Sequence, residues 1–321
     1  MGFLSRALKE TFEQEKPQQL RGDIRMISGC LDSQTSADVS NVQSFQLPDP
    51  AGEAGGACTS ALLNIVYKDH HNTAADLSFT EVLTQMRSML KAKRYSQVPQ
   101  MSASREIDVN TKFDLVPDNA TGTKRAVLVG INYIGHSQGV LSGCHNDVKN
   151  MVDYIKDVHG FEEQNITVIM DDGEHPEPTK ANIVAAYKKL IEESQPGDCL
   201  FCHYSGHGAK IKDDEQGEEK DGYDEVLVPV DYEQAGMIRD DDLFDILIRP
   251  MQQGVSLFCL MDCCHSGTVM DLPYIFKADG IFENMEIDEN FDFEKLFKKV
   301  GEVAVRELGN YVKNKYLKDV L

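Results

Sequence analysis

Two short runs carry the side chains best suited to chemistry. One is LFCHYSGHG at residues 200–208, where an apolar strand ends in Ser205-Gly206-His207-Gly208. The other is LFCLMDCCHSG at 257–267, where five apolar residues run into Asp262-Cys263-Cys264-His265-Ser266-Gly267. A histidine at one strand end beside a cysteine at another is the arrangement of a thiolate nucleophile and its base. Cysteine needs only a modest fall in pKa to ionise near neutrality. The glycines flanking His207 let the chain turn tightly and leave the imidazole clear. Backbone N–H groups in the turn after a nucleophile can hold an oxyanion. Zinc binding is the rival reading of Cys263-Cys264-His265, but adjacent residues fit poorly around one tetrahedral ion and a fourth ligand is needed. Strand alternation sends Cys263 and Cys264 in different directions, one to the cleft and one to the core. Pattern alone does not choose between them.

Both runs need a sheet to position them. From RAVLVGI (125–131) onward the chain alternates strand and helix: helix 145–158, strand NITVIM, helix 179–193 from Thr179, strand CLFCHYS, strand EVLVPV, helix 241–248 and strand VSLFCLMD. Such a series predicts an α/β fold, with a central, mostly parallel sheet and helices on both faces. Open parallel sheets place their sites beyond the C-terminal strand ends, where both runs emerge.

Upstream, residues 1–20 read as an amphipathic helix ended by Pro17. DIRMISGC reads as a strand, 40–57 as a loop, and 57–66 and 78–91 as helices, the latter with Ser78 as N-cap. QVPQMSAS reads as an edge or active-site strand, because Pro99 excludes a central one. Residues 118–123 form a polar hinge. Downstream, 281–321 read as an acidic linker and a long amphipathic helix.

The chain has 321 residues, with 53 Asp and Glu against 32 Lys and Arg, a formal charge of -21. That balance disfavours nucleic acid and anionic membrane, and favours basic peptides or metal cations. No apolar run is long enough to span a membrane, and the first residues lack a signal-peptide core. The eight cysteines do not have the spacing of a small secreted scaffold. Cys199 and Cys202 read as strand interior. A reducing, cytoplasmic setting is expected.

HYSGHG and DCCHSG, taken with GINYIG, LSGCHNDV, YDEVLVPVD and a DLPY run, resemble the metacaspases, caspase-like cysteine peptidases. The resemblance implies a caspase-like sandwich. It assigns residues 124–280 to a p20-like catalytic region. Through MISGCLDSQTSAD and QVPQMSAS, it assigns 21–117 to a p10-like region. This order reverses that of most metacaspases and resembles the type III metacaspases of some algae.

Carried over residue by residue, His207 matches the base and Cys264 the nucleophile, with the N–H groups of Gly208 and Cys264 as the oxyanion hole. Asp147 and Asp262 match the acidic pocket that takes a basic side chain, Cys144 and Ser205 its walls, and Asp38 its rim. Asp147 also falls in the first turn of a helix, where a carboxylate is favourable without any ligand. The resemblance marks Asp224, Asp240, Asp241 and Asp271 as a Ca²⁺ site. Residues 210–225 hold eight carboxylates and three lysines, and bound Ca²⁺ would relieve such crowding.

The expected function is a Ca²⁺-activated cysteine endopeptidase that cleaves after Arg or Lys. Its partners are peptide or protein substrates with a basic residue before the cut, and the expected state is a monomer. Self-cleavage is expected to be dispensable, because the end of the p20-like region and the start of the p10-like region are separate termini, with no covalent link between them to cut. The alternative is a catalytically silent caspase-like scaffold that binds basic peptides or partner proteins.

Overall fold

The computed structural model describes residues 20–29, 57–68, 70–92, 94, 98–212, 223–263, 269–279, 284–288 and 291. The helices expected over 1–20 and along the tail therefore lie outside the described residues, as do Asp38 and Cys264.

The strands are β1 (Asp23–Ser28), β2 (Tyr67–Lys68), β3 (His71–Asn72), β4 (Gln100–Ala103), β5 (Lys124–Gly130), β6 (Ile166–Met170), β7 (Cys199–Ser205), β8 (Gly208–Lys212), β9 (Tyr223–Leu227), β10 (Ile238–Arg239), β11 (Ser256–Asp262), β12 (Tyr274–Phe276) and β13 (Glu286–Ile287). The longer helices are α1 (Ala57–Val66), α2 (Phe79–Ala92), α3 (Cys144–Asp157) and α4 (Lys180–Glu192). Two short ones follow, α5 (Tyr232–Ala235) and α6 (Asp240–Leu243).

Eight strands form the main sheet, in the order β13-β12-β4-β1-β11-β7-β5-β6. The run β1-β11-β7-β5-β6 is parallel. β4, β12 and β13 add antiparallel pairs on one side. All seven residues of β7 are buried, and all of β11 except Ser256. This is what a strand covered on both faces requires, and it explains the unbroken apolar runs in the sequence. Asp262 of β11, Ser205 of β7 and Gly130 of β5 stand in register, so three strand ends open at one edge.

Helices cover both faces. α1 packs against α2 and α3 over one face. On the other, Tyr187 of α4 lies beside Cys202, Cys259 and Tyr204. Helix α2 starts where Ser78 and Glu81 cap each other, Ser78 N–H donating to Glu81 Oε2 at 2.8 Å and Glu81 N–H to Ser78 Oγ at 3.2 Å. Thr179 caps α4, its hydroxyl accepting from Asn182 N–H.

Three expectations need correction. β4 is not an edge strand, since it lies between β1 and β12. Pro99 precedes the strand and removes no ladder hydrogen bond, so its argument does not apply. EVLVPV does not enter the parallel sheet: β9 pairs antiparallel with β8 and β10 in a separate three-stranded sheet. A single helix over 241–248 is in fact α6 followed by a π-helical turn at Phe244–Ile248.

The region 20–117 does not fold apart from the rest. β1 is flanked by β11 and β4 inside the sheet. Residues 118–123 lie along the 197–198 turn, with Gly122 N–H donating to Gly197 O at 2.8 Å and Thr123 N–H to Asp198 Oδ1 at 2.7 Å.

Candidate active site

His207 follows the end of β7. Its Nε2 lies 2.7 Å from the carbonyl oxygen of Gly139, on the loop between β5 and α3. A carbonyl only accepts, so Nε2 carries the proton and Nδ1 keeps its lone pair. Burial pushes the imidazole pKa down to about 4, against the raising effect of the Gly139 contact. Near neutrality the ring is therefore an uncharged base of fixed tautomer.

Two phenols clamp the turn that carries it. Tyr133 OH donates to Val228 O at 2.7 Å and accepts from His207 N–H at 2.9 Å. Its ring lies 4.6 Å from the imidazole, centroid to centroid. Tyr204 OH lies 3.0 Å from His207 O and 3.1 Å from Val228 O, both of them acceptors. A Cβ on Gly206 would come 3.0 Å from Tyr204 OH and 3.3 Å from Tyr133 OH, so glycine is what lets both phenols close on the turn.

Gly208 opens β8 opposite Leu227. Val228 N–H donates to His207 O at 3.2 Å. That bond makes Gly208 and Leu227 the non-hydrogen-bonded pair of the ladder, and Gly208 N–H points away from β9.

The sequence-predicted pocket residues come together. Ser205 Oγ donates to Asp147 Oδ2 at 2.8 Å, across the gap between β7 and the first turn of α3. Asp262, Ser205's register partner, is buried, and its Oδ2 accepts from Thr59 N–H at 2.6 Å. Burial raises the Asp147 pKa to about 7, against the lowering bond from Ser205. Burial first, and then the Asp147 charge, push the Asp262 carboxyl well above its usual range. Cys144 contacts Ser205, and burial pushes its thiol up to about 12. Cys263 is buried at 1% exposure, as expected of the inward-facing member of its pair.

The loop bearing Gly139 is pinned at both ends. Asp171 accepts from Asn132 N–H and Ile134 N–H, each at 2.8 Å, and meets His145 Nε2 at 2.6 Å. Asn132 Oδ1 accepts from Cys144 N–H at 3.1 Å, satisfying an open donor at the start of α3. Sequence reasoning missed Gly139, Tyr133, Tyr204 and Asp171. The one available signal was GINYIG, whose Tyr133 takes a left-handed φ of 55°.

The acidic residues divide. Asp224 on β9 and Asp240 at the start of α6 are both buried, at the junction of β9 and β10. Asp224 Oδ2 lies 3.0 Å from Arg239 Nη1. Asp240 Oδ2 accepts from Glu225 N–H at 3.3 Å, and its Oδ1 from Asp241 N–H at 2.8 Å. Asp271 lies on the loop after β11 with φ 46°. Among the described residues, no group of three or more acidic, histidine or cysteine side chains is placed to hold a metal. The donors suit Ca²⁺ in type, being hard carboxylate oxygens. Their described arrangement is not a completed metal site.

A mostly parallel sheet with a clamped histidine at its C-terminal edge, beside two buried carboxylates, is the framework of a caspase-like cysteine peptidase. Sequence comparison agrees. A family model described as the metacaspase, peptidase C14 domain matches residues 124–273, and a caspase domain model matches 6–109. Metacaspase III c of Phaeodactylum tricornutum is 69% identical over 301 residues, covering 94% of this chain and 89% of that protein. Metacaspase-1 of Sclerotinia sclerotiorum is 46% identical over 167 residues, and Metacaspase-1A of Aspergillus fumigatus 48% over 165. Each covers 51% of this chain, which in turn spans 38% and 40% of those two proteins. The chain belongs to the metacaspase family. No described helix is long and apolar enough to cross a membrane.

Proposed function

We propose that this peptidase cleaves after Arg or Lys. The observation that carries the reading is the buried pair Asp147 and Asp262, on either side of Ser205 at the strand ends beside His207. Two carboxylates in low dielectric repel each other and await a cation. A guanidinium or ammonium from the substrate supplies one, and an acidic side chain would be rejected.

In this reading Cys264 attacks the carbonyl carbon of the scissile bond. His207 takes the thiol proton at Nδ1 and returns it to the leaving amine. Water then hydrolyses the acyl-enzyme with the same imidazole as base. The outward N–H of Gly208, together with that of Cys264, faces the oxyanion. The p10-like region preceding the p20-like region is part of the proposal. It is supported by β1, which enters the sheet directly beside the catalytic strand β11.

Ca²⁺ belongs to the proposal as an activator, held by Asp224, Asp240, Asp241 and Asp271. Bound there, it would neutralise carboxylates that Arg239 now offsets only in part. A monomer in the cytoplasm completes the reading, supported by the described cysteines, which are all free thiols.

The test is hydrolysis of paired Arg- and Asp-terminated fluorogenic peptides, with Ca²⁺ and with chelator, by the wild-type chain and Cys264→Ala. Cleavage after Arg that needs Cys264 and Ca²⁺ supports every part. Cleavage after Asp refutes the pocket assignment. No cleavage of either peptide favours the silent scaffold.

A further inference from the structure

One buried polar chain is not used by the chemistry above. It starts at His203 in the middle of β7, which is fully buried. His203 Nε2 lies 3.1 Å from Thr59 Oγ1. Thr59 stands in the first turn of α1, and its N–H donates to Asp262 Oδ2 at 2.6 Å. The Thr59 hydroxyl and Cys58 N–H lie close enough to that carboxylate to lower its proton affinity. Burial holds the His203 pKa down to about 3, so the ring is neutral with a single N–H. His203 Nδ1 has no partner among the described residues, so the ring's one proton has its hydrogen-bond acceptor there only at Nε2, in Thr59 Oγ1. The hydroxyl then passes its own proton toward Asp262. The chain leads to one carboxylate, whose Oδ1 has no hydrogen-bond partner among the described residues.

We propose that Thr59 and His203 are positioning residues of the substrate pocket, holding Asp262 as a fixed acceptor with Oδ1 presented to the basic side chain. The inference rests on the reading of Asp147 and Asp262 as that pocket. It assigns a pocket function to α1, which lies 203 residues before Asp262 in the chain. The α1 N-terminus favours negative charge, and its first N–H groups lack helical partners, so a carboxylate there is stabilised without closing the pocket.

The groups that bear on Asp262 set the expected pH behaviour. Asp147 of α3 raises its proton affinity, while the neighbouring thiols of Cys58 and Cys144 are themselves pushed up by burial and by the Asp262 charge and so stay neutral. The Thr59 and Cys58 donors lower it. Removing the Thr59 hydroxyl deletes one lowering contact and strands His203 Nε2.

The experiment compares full-length Thr59→Val and Thr59→Ser with the wild type. With an Arg-terminated fluorogenic peptide, Thr59→Val is expected to raise KM about ten-fold, the scale of one hydrogen bond to a charged group, with a smaller change in kcat. Its low-pH arm of kcat/KM moves upward, and Thr59→Ser restores both. An unchanged KM and pH arm in an active Thr59→Val protein overturns the inference while leaving the peptidase reading intact. Thermal unfolding supplies a readout independent of turnover. The gap in Tm between wild type and Thr59→Val should widen from pH 5 to pH 9, as the Asp262 carboxylate comes to need its donors. A gap of constant size indicates packing loss alone and also overturns the inference. Wild-type protein that cleaves no Arg peptide, yet shows the widening gap, sinks the peptidase reading and keeps the donor chain.

Discussion

His207 Nε2 and the carbonyl oxygen of Gly139 lie 2.7 Å apart, and that contact fixes which imidazole nitrogen keeps a lone pair. With Nε2 committed to a carbonyl, Nδ1 is the base of the proposed mechanism. His207→Ala should lower kcat by about 10² to 10⁴. Gly139 itself adopts φ 70°, which costs an L side chain about 1–2 kcal/mol. Gly139→Ala should therefore turn the carbonyl away. The expected result is a fall in kcat of about ten-fold or more with little change in KM, read from steady-state kinetics. Unchanged kinetics would mean the contact is not needed for turnover.

Tyr133 serves two acceptor–donor contacts with one hydroxyl. Tyr133→Phe leaves His207 N–H and Val228 O without it. A buried group stripped of its partner costs about 1–3 kcal/mol. Denaturant unfolding should show a loss of that size. If His207 placement depends on the phenol, kcat falls as well.

Asp147 and His207 tilt stability in opposite directions with pH. The Asp147 pKa rises from 3.8 to about 7 in the fold, so the folded chain keeps a proton that the unfolded chain has lost. Its contribution falls as pH climbs from about 4 to 7. The His207 pKa drops from 6.5 to about 4, so its contribution grows with pH between those values and is lost on acidification. Asp147→Asn should remove the first slope and His207→Ala the second, measured as Tm against pH. In kinetics, Asp147→Asn should lose most cleavage after Arg, and the low-pH arm of kcat/KM should move down, because the Asp147 charge that raises the Asp262 pKa is gone. An arm that stays in place in Asp147→Asn would assign the titration elsewhere.

Arg239 already provides a positive charge against Asp224 at 3.0 Å. An incoming Ca²⁺ must compete with it. Arg239→Gln should bind Ca²⁺ more tightly, and Asp224→Asn more weakly, when titrated calorimetrically with the peptidase inactivated by Cys264→Ala. Equal affinities in all three would remove Asp224 from the site.

The sequence disclosed the strand ends that carry Ser205 and Asp262 because strands covered on both faces leave a plain apolar signature. β7 and β11 each end where their polar residues begin. Asp147, Ser205 and Asp262 were legible through motifs that fix spacing. β9 was misplaced because an apolar run indicates burial and says nothing of which sheet buries it. Pro99 misled because its effect depends on a one-residue boundary. The phenol clamp and the Thr59–His203 chain were invisible, because their partners lie on distant segments and neither leaves a periodic mark. Cys264 was read from sequence alone and lies outside the described residues.

The placement of β1 also bears on how the protein is made. β1 is made well before its parallel partner β11, which lies near the other end of the described residues. At about 5–20 residues per second, the ribosome leaves β1 without that neighbour for tens of seconds or somewhat less. Unpaired strands of this kind attract other chains. A nascent chain cut short before β11 cannot build the sheet edge at which Asp262, Ser205 and Gly130 stand in register. Assembly is thereby tied to translation past β11.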